Sequence, residues 1–251
     1  MSMARFRFYE ELNDFLPAEN RKITFPYHFN GRPSVKDAIE ALGVPHVEVD
    51  LILVNGQPVD FARHLLDGDR VSVYPVFESF DITDVTHFRP QPLRRPQYIL
   101  DVHFGGLARY LRMLGFDTTY DTTWDDNEII DLSVQEDRII LTHDVELLKD
   151  GRVTHGYWVR SSGTHNQVRE VFKRFDLYKT VKPFSRCLVC NAILQAVDGE
   201  TVKDRLPYEA FRIYSEFHEC PSCGRVYWKG SHYNKMQSFL ENLIESDDYS
   251  A

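Results

Sequence analysis

The chain has 251 residues, of which 43% are hydrophobic, 13% aromatic and 27% charged; this supplies apolar material for packed cores and excludes a chain disordered by composition. Its 38 acidic against 29 basic side chains leave a net charge of −9, which excludes binding to nucleic acid by general surface basicity but leaves room for a local basic rim. The longest aliphatic run, Leu51 to Val54, falls far short of the roughly 18 apolar residues of a membrane span, and the N-terminus shows no apolar signal core, so a cytoplasmic protein without a membrane partner is expected.

Phe6 and Phe8 alternate with Arg5 and Arg7, the period of a half-buried strand, and Ile23 to Phe29 reads as its hairpin partner. Ser34, with Asp37 three residues on, is an N-cap signature ahead of Val35, Ala38, Ile39 and Leu42 at helical spacing, and Gly43 ends that helix. Val47 to Val54 is strand-like, Asn55-Gly56 marks a tight turn, and Val71 and Val73 alternate in a last strand after Asp67-Gly68-Asp69. The order is hairpin, helix, then further strands, an α+β pattern.

This order, with Leu51 to Val59 and Asp67 to Pro75, resembles the β-grasp sulfur carriers of the ThiS and MoaD type over about 75 residues. Those carriers end in an exposed Gly-Gly, whereas here Tyr74-Pro75-Val76-Phe77 runs on into more protein. The resemblance implies a ubiquitin-like β-grasp domain over residues 1–80, which without that tail reads as a module that docks a protein partner or presents substrate more readily than as a sulfur carrier awaiting cleavage.

Residues 81–97 read as a linker, because Pro90, Pro92 and Pro96 with Arg89, Arg94 and Arg95 suit neither a helix nor a central strand. It is the most basic short stretch of the chain, and it reads as a solvated spacer more readily than as a phosphate contact.

Residues 98–180 alternate strands and helices, the pattern of a mainly parallel sheet covered by helices. Tyr98-Ile99-Leu100 ends in Asp101; after Gly105-Gly106, helical spacing links Leu107, Tyr110, Leu111 and Leu114 before Gly115. Asp126 stands at the start of a helix holding Ile129 and Ile130, and Arg138 to Thr142 is a second buried strand ending at His143-Asp144. Tyr157-Trp158-Val159 is a third strand, and Thr164 with Gln167 predicts a capping box for a helix with Val168, Val171, Phe172 and Phe175 on one face. Sites in such sheets lie beyond the carboxyl ends of the strands, where Asp101 and Asp144 both fall. With Asp126 they form a candidate ligand set for magnesium or manganese, hard cations that take oxygen ligands; each acid also suits ordinary helix capping.

Asp101 to Asp117, Asp126 to Ile130, Arg138 to Asp144 and Thr154 to Arg160 resemble the mut-seven-type C-terminal RNase domain, a PIN-like nuclease family, with a match running from about 98 to 240. The resemblance implies a metal-dependent ribonuclease with Asp101, Asp126 and Asp144 in acidic catalytic positions and Thr142 in a hydroxyl position two residues before the last acid. His143 stands where the family pattern has Arg. Asp125, Glu128 and Asp150 are candidates for a fourth acid. Arg109 and Arg112, three apart on the helix after Asp101, are candidate RNA-phosphate contacts, and His155 reads as a satisfied polar side chain more readily than as an RNA contact.

In residues 181–251 all four cysteines fall in two pairs, Cys187-Leu188-Val189-Cys190 and Cys220-Pro221-Ser222-Cys223, the signature of a four-thiolate zinc ribbon followed by a C-terminal helix. Gly224 suits the tight turn after the second pair, and the full ligand set makes the zinc structural. Arg186, Arg225 and Lys229 lie near enough in sequence to offset its charge. Tyr227, Trp228, His232 and Tyr233 are available either to stack on bases or to form a small satellite core. Two functions from different classes result: a magnesium- or manganese-dependent ribonuclease, an endonuclease first, or a non-catalytic RNA- or protein-binding module on a PIN-like scaffold.

Overall fold

A computed structural model describes residues 1–75 and 96–248; the end of the expected β-grasp range, 76–80, and residues 81–95 of the expected linker lie outside the described residues. Strand β1 (Ser2–Phe8) buries Ala4, Phe6 and Phe8 and exposes Arg5 and Arg7. It pairs antiparallel with β2 (Phe25–Phe29), which is shorter than expected because Lys22 adopts φ 59° and leaves Ile23 outside the strand. Two short 3-10 turns, Glu10–Phe15 and Ala18–Asn20, fill the connection and bring Leu12 and Leu16 into the core; no periodicity announces them.

Helix α1 (Val35–Ala41) begins as its sequence requires. The Asp37 amide donates to Ser34 Oγ at 3.1 Å, and the Ser34 amide donates to Asp37 Oδ2 at 3.0 Å. A 3-10 turn at His46–Glu48, set by Pro45, delays strand β3 to Val49–Val54. Asn55 (φ 53°) and Gly56 (φ 83°) then turn the chain into β4 (Gln57–Pro58), both in the left-handed region that a tight hairpin of this kind requires. Strand β5 (Arg70–Pro75) completes a sheet of order β2-β1-β5-β3-β4, with β1 and β5 parallel. Val35, Ala38 and Ile39 of α1 cover Phe6, Ile52 and Val73; each fully buried side chain of this kind contributes about 1.5–3 kcal/mol of hydrophobic stabilisation. This is the β-grasp arrangement.

The chain resumes with β6 (Tyr98–Leu100), α2 (Gly105–Met113), β7 (Thr118–Thr119), α3 (Asp126–Glu136), β8 (Ile139–Thr142), α4 (Val145–Lys149), β9 (Gly156–Trp158) and α5 (Thr164–Arg174). Strand β6 pairs with β7, and β8 with β9, both parallel as the alternation of strands and helices required. Then follow β10 (Gln195–Val197), α6 (Gly199–Val202), α7 (Tyr208–Ile213), β11 (Phe217–Glu219), β12 (Val226–Trp228) and α8 (Ser231–Asp248), with β10, β11 and β12 forming a three-stranded antiparallel sheet.

Two compact units do not follow chain order. The first joins the β-grasp to Asp125–Val159; the second takes Pro96–Trp124 together with the described residues from Arg160 onward. In the first, buried Glu48 accepts the Trp158 amide at 2.7 Å, His46 Nε2 lies 3.0 Å from the Val153 carbonyl, and the Phe15 and Trp158 rings are 4.8 Å apart. In the second, α2 buries Leu107, Leu111 and Leu114, while Tyr110 stays partly exposed and its hydroxyl meets His165 Nε2 at 2.8 Å.

Two glycines permit close approaches in that unit. A Cβ on Gly115, at φ 95°, would sit 2.3 Å from the Lys182 carbonyl oxygen, and one on Gly106 would sit 2.5 Å from Thr164 Oγ1. The capping box expected at Thr164 does not form: Gly163, at φ 81°, is the N-cap, and Thr164 is the first helical residue. The amides of Arg160 and Ser161 donate instead to the Glu170 carboxylate, each at 2.7 Å.

Candidate active site and metal centre

In the first unit, Asp144 follows buried β8 and caps α4: its Oδ1 accepts the Glu146 amide at 2.8 Å and the Leu147 amide at 3.4 Å. Asp144 is exposed, and its Oδ2 has no hydrogen-bond partner among the described residues. Thr142 is fully buried and its Oγ1 accepts the Asp144 amide at 2.8 Å, so its hydroxyl shapes the turn that presents the acid. His143 Nδ1 lies 2.6 Å from the Val159 carbonyl, and Trp158 donates its indole N–H to the His143 carbonyl at 3.0 Å. The Thr142-His143-Asp144 turn is thereby tied to β9.

Asp126 is exposed in the first turn of α3, one residue inside the cap. The cap itself is Asp125, whose Oδ1 accepts the Glu128 amide while Glu128 Oε2 accepts the Asp125 amide, both at 2.9 Å. Asp150 is paired with Arg152, whose guanidinium and amide hold its carboxyl down to about 2. The three candidates for a fourth acid thus all have local structural duties. His155 is nearly buried, with Thr154 Oγ1 3.1 Å from its Nδ1.

In the second unit, Asp101 is 6% exposed and caps the 3-10 turn Val102–Phe104, its Oδ1 accepting the His103 amide at 2.8 Å. Arg109 is exposed on α2. Arg112 corrects the expectation of a phosphate contact. It is 5% exposed, and its guanidinium donates to the carbonyls of Thr118 (2.8 Å), Val189 (2.7 Å) and Leu188 (3.3 Å). Two of these carbonyls belong to the first cysteine pair, so Arg112 braces that knuckle from inside and presents nothing to RNA.

The four cysteines form no disulfide, and their sulfurs all lie within 4.8 Å of one another. They are the only group of three or more Cys, His, Asp and Glu gathered at metal-binding distance among the described residues. Across the knuckles, Cys187 and Cys223 are 3.6 Å apart and Cys190 and Cys220 3.3 Å apart, close to the roughly 3.8 Å edge of a tetrahedron with 2.3 Å metal–sulfur bonds.

Both knuckles are built alike. The Cys190 amide approaches Cys187 Sγ at 3.5 Å and the Cys223 amide approaches Cys220 Sγ at 3.4 Å; Asn191 (φ 69°) and Gly224 (φ 71°) then close the two turns. Asn191 carries the left-handed turn that sequence reasoning noticed only at Gly224, and the matching position after each Cys-x-x-Cys was the available signal.

Burial raises the Cys187 thiol, but the Tyr227 hydroxyl at 3.1 Å and the amides of Cys190 and Val189 outweigh it and hold the thiol down to about 6. Burial pushes the Cys220 thiol up to about 12. The donor set and its spacing are compatible with a structural zinc ion. Of the cations expected to offset that charge, Arg186 pairs with Asp117 at 3.1 Å and donates to the Asn191 carbonyl at the first knuckle, and Lys229 pairs with Glu216 at 2.5 Å; Arg112 adds a buried cation at the first knuckle.

Comparison with known families matches residues 96–240 to the Mut7-C RNAse domain and residues 1–81 to the Mut7-C ubiquitin domain. The chain belongs to the Mut7-C RNase domain family. The chain is also similar, over part of its length, to two crystal structures of the Haloferax volcanii small archaeal modifier protein SAMP1. One is 17% identical over 30% of this chain and 98% of that one, the other 18% identical over 32% and 100%, each with a TM-score of 0.25. No match was found among curated proteins. Among the described residues, no helix of this Mut7-C protein is long and apolar enough to cross a membrane.

Proposed function

We propose that this Mut7-C protein is a magnesium- or manganese-dependent ribonuclease that cuts RNA phosphodiesters internally. What supports the reading is the placement of Asp144 within a matched RNase domain: an exposed carboxylate at the end of a buried strand, with one oxygen fixed by two amides and the other without a partner among the described residues. The acids that the family resemblance implies for the cation are Asp144, Asp126 on the first turn of α3 and Asp101 at the end of β6, although among the described residues only the four cysteines are gathered at metal-binding distance. Carboxylate oxygens suit magnesium and manganese, and such an ion when bound supplies Lewis acidity toward the phosphate and a lowered pKa for an attacking water.

The chain's own contribution is orientation. Thr142 fixes the backbone of Asp144, while the amides of Glu146 and Leu147 fix its Oδ1 and leave Oδ2 to face the cation or a water proton. At the cysteine centre we infer zinc in a structural role, since four thiolates complete a tetrahedron and leave no open position.

The deciding experiment incubates circular and linear RNA with the full chain in magnesium, manganese or chelator, beside Asp101→Asn, Asp126→Asn and Asp144→Asn. Metal-dependent opening of the circle that is lost in these variants is the expected result. Degradation of linear RNA alone would make the enzyme an exonuclease, and RNA binding without cleavage in any metal would replace the enzyme with a binding module.

A further inference from the structure

A cavity of about 570 Å³ lies in the second unit along β12 and the start of α8, with Leu188 of the first knuckle in its lining, within the roughly 300–1,000 Å³ range of small-ligand pockets. Its walls are aromatic. Phe184 and Tyr233 pack against each other on one side, with ring centroids 4.1 Å apart and planes tilted by 35°, and Trp228 contributes a third ring. Two backbone features set these rings in place. Phe184 adopts φ 59°, a conformation that bulky side chains rarely take, and its amide is anchored to the Met113 carbonyl at 2.7 Å. Gly230 lets the Trp228 ring fold back over the following turn, because a Cβ there would lie 2.8 Å from the indole nitrogen.

At the rim, the cations outnumber the acids. Lys229 is paired with Glu216 and Arg186 with Asp117, but Arg109 is exposed and has no ion pair among the described residues. An aromatic floor with an unpaired guanidinium at its edge matches one ligand chemistry closely: a flat, unpaired base attached to a phosphate. Such a pocket takes a base by its face, whatever its sequence, while the cation contacts the backbone. An acidic peptide would satisfy Arg109 but would not use the aromatic floor.

We propose that this cavity binds one unpaired nucleobase of single-stranded RNA, with Trp228 as stacking partner and Arg109 on the adjoining phosphate. The inference deepens the reading of the chain as an RNA-processing protein, but it does not depend on the carboxylates. It is tested on the full Asp144→Asn chain in chelator-free buffer without magnesium or manganese, by fluorescence anisotropy of a labelled single-stranded RNA and of the same sequence as a blunt duplex. Trp228→Ala should weaken single-strand binding by roughly 5- to 150-fold and leave duplex binding unchanged. Arg109→Gln, a surface change, should lower the slope of log affinity against log salt by about one.

Retained zinc in both variants shows that the fold is intact; if Trp228→Ala loses zinc, Trp228→Phe replaces it, with intermediate affinity expected. Equal binding of single strand and duplex, or single-strand affinity and salt slope unchanged in Arg109→Gln and the zinc-retaining Trp228 variant, would overturn the proposal, as would displacement of RNA by an acidic peptide with undiminished affinity in the Trp228 variant. RNA binding with this mutational pattern but no cleavage by the unmutated chain would refute the nuclease and leave the pocket standing; cleavage with no such pattern would do the reverse.

Discussion

Replacing Arg112 with Met keeps most of the aliphatic stem and removes the guanidinium that joins α2 to the first knuckle. Three donor contacts disappear, but they are not equal. The 3.3 Å contact to Leu188 is long, whereas those to Thr118 and Val189, at 2.8 and 2.7 Å, have the length of charge-assisted bonds, each worth about 1.5–3 kcal/mol net. Val189 is 51% exposed and its carbonyl can turn to water, while Thr118 is fully buried, so its carbonyl bears most of the loss. Relief from desolvating the guanidinium offsets part of the loss. The net expectation is about 2–4 kcal/mol of destabilisation, and at roughly 2–4 °C per kcal/mol a clear drop in the melting temperature of the second unit.

The same cation lies close to a centre that carries net negative charge once four thiolates hold a divalent ion. Loss of an outer-shell partner of this kind typically weakens metal affinity about 10- to 100-fold, which competition against a chromogenic chelator measures directly. Arg112→Lys should fall between the two, since an ammonium keeps the charge but cannot fork to three carbonyls. The reasoning fails if Arg112→Met leaves melting and zinc retention unchanged and instead weakens RNA binding with a shallower salt dependence, for that is the behaviour of a solvent-facing phosphate contact.

Removal of a sulfur ligand should act locally. Cys220→Ser is expected to abolish stoichiometric zinc in elemental analysis and to speed hydrogen exchange from about residue 183 to 235, with exchange in β1 to β5 unchanged, because metal binding and folding are coupled in so small a segment. Glu48→Ala should cost about 1–3 kcal/mol, since it leaves the Trp158 amide without its acceptor; the cost should appear as faster exchange at the Trp158 amide, and unchanged exchange there would refute the assigned bond.

Local signals in the sequence were reliable where the structure they specify is local. The alternation of Arg5-Phe6-Arg7-Phe8, the Ser34–Asp37 box and the Asn55-Gly56 turn each depend on neighbours within a few residues, and each forms as read. The two Cys-x-x-Cys pairs were legible for the same reason, because each knuckle is a self-contained turn.

Arg112 departs from its expected phosphate contact because its surroundings are supplied by residues 76 and 77 positions later, which cover the helix face that the Leu stripe alone would leave to solvent. The Thr164–Gln167 box failed to a neighbour with a stronger claim: Gly163 takes the cap conformation, leaving the Glu170 carboxylate to satisfy the preceding amides. The cap of α3 fell on Asp125 and not Asp126 because either acid fits, and only the capping partner Glu128, three residues after Asp125, tells them apart.

The junction of Glu48 with Trp158 has a consequence for the order in which the protein can be made. The two residues are 110 positions apart, so at about 5–20 residues per second a ribosome adds the Trp158 amide roughly 5–20 s after the carboxylate that receives it. Throughout that interval the 46–48 turn and the Phe15 ring of the nascent β-grasp lack the surface that later covers them, and the ionised Glu48 must stay hydrated. The N-terminal sheet can assemble early, since its own strand pairs all fall within the first 75 residues, but its completion waits for β9. A chain cut just after the β-grasp would be held permanently at that intermediate stage, with a carboxylate in water where the finished protein has a buried acceptor.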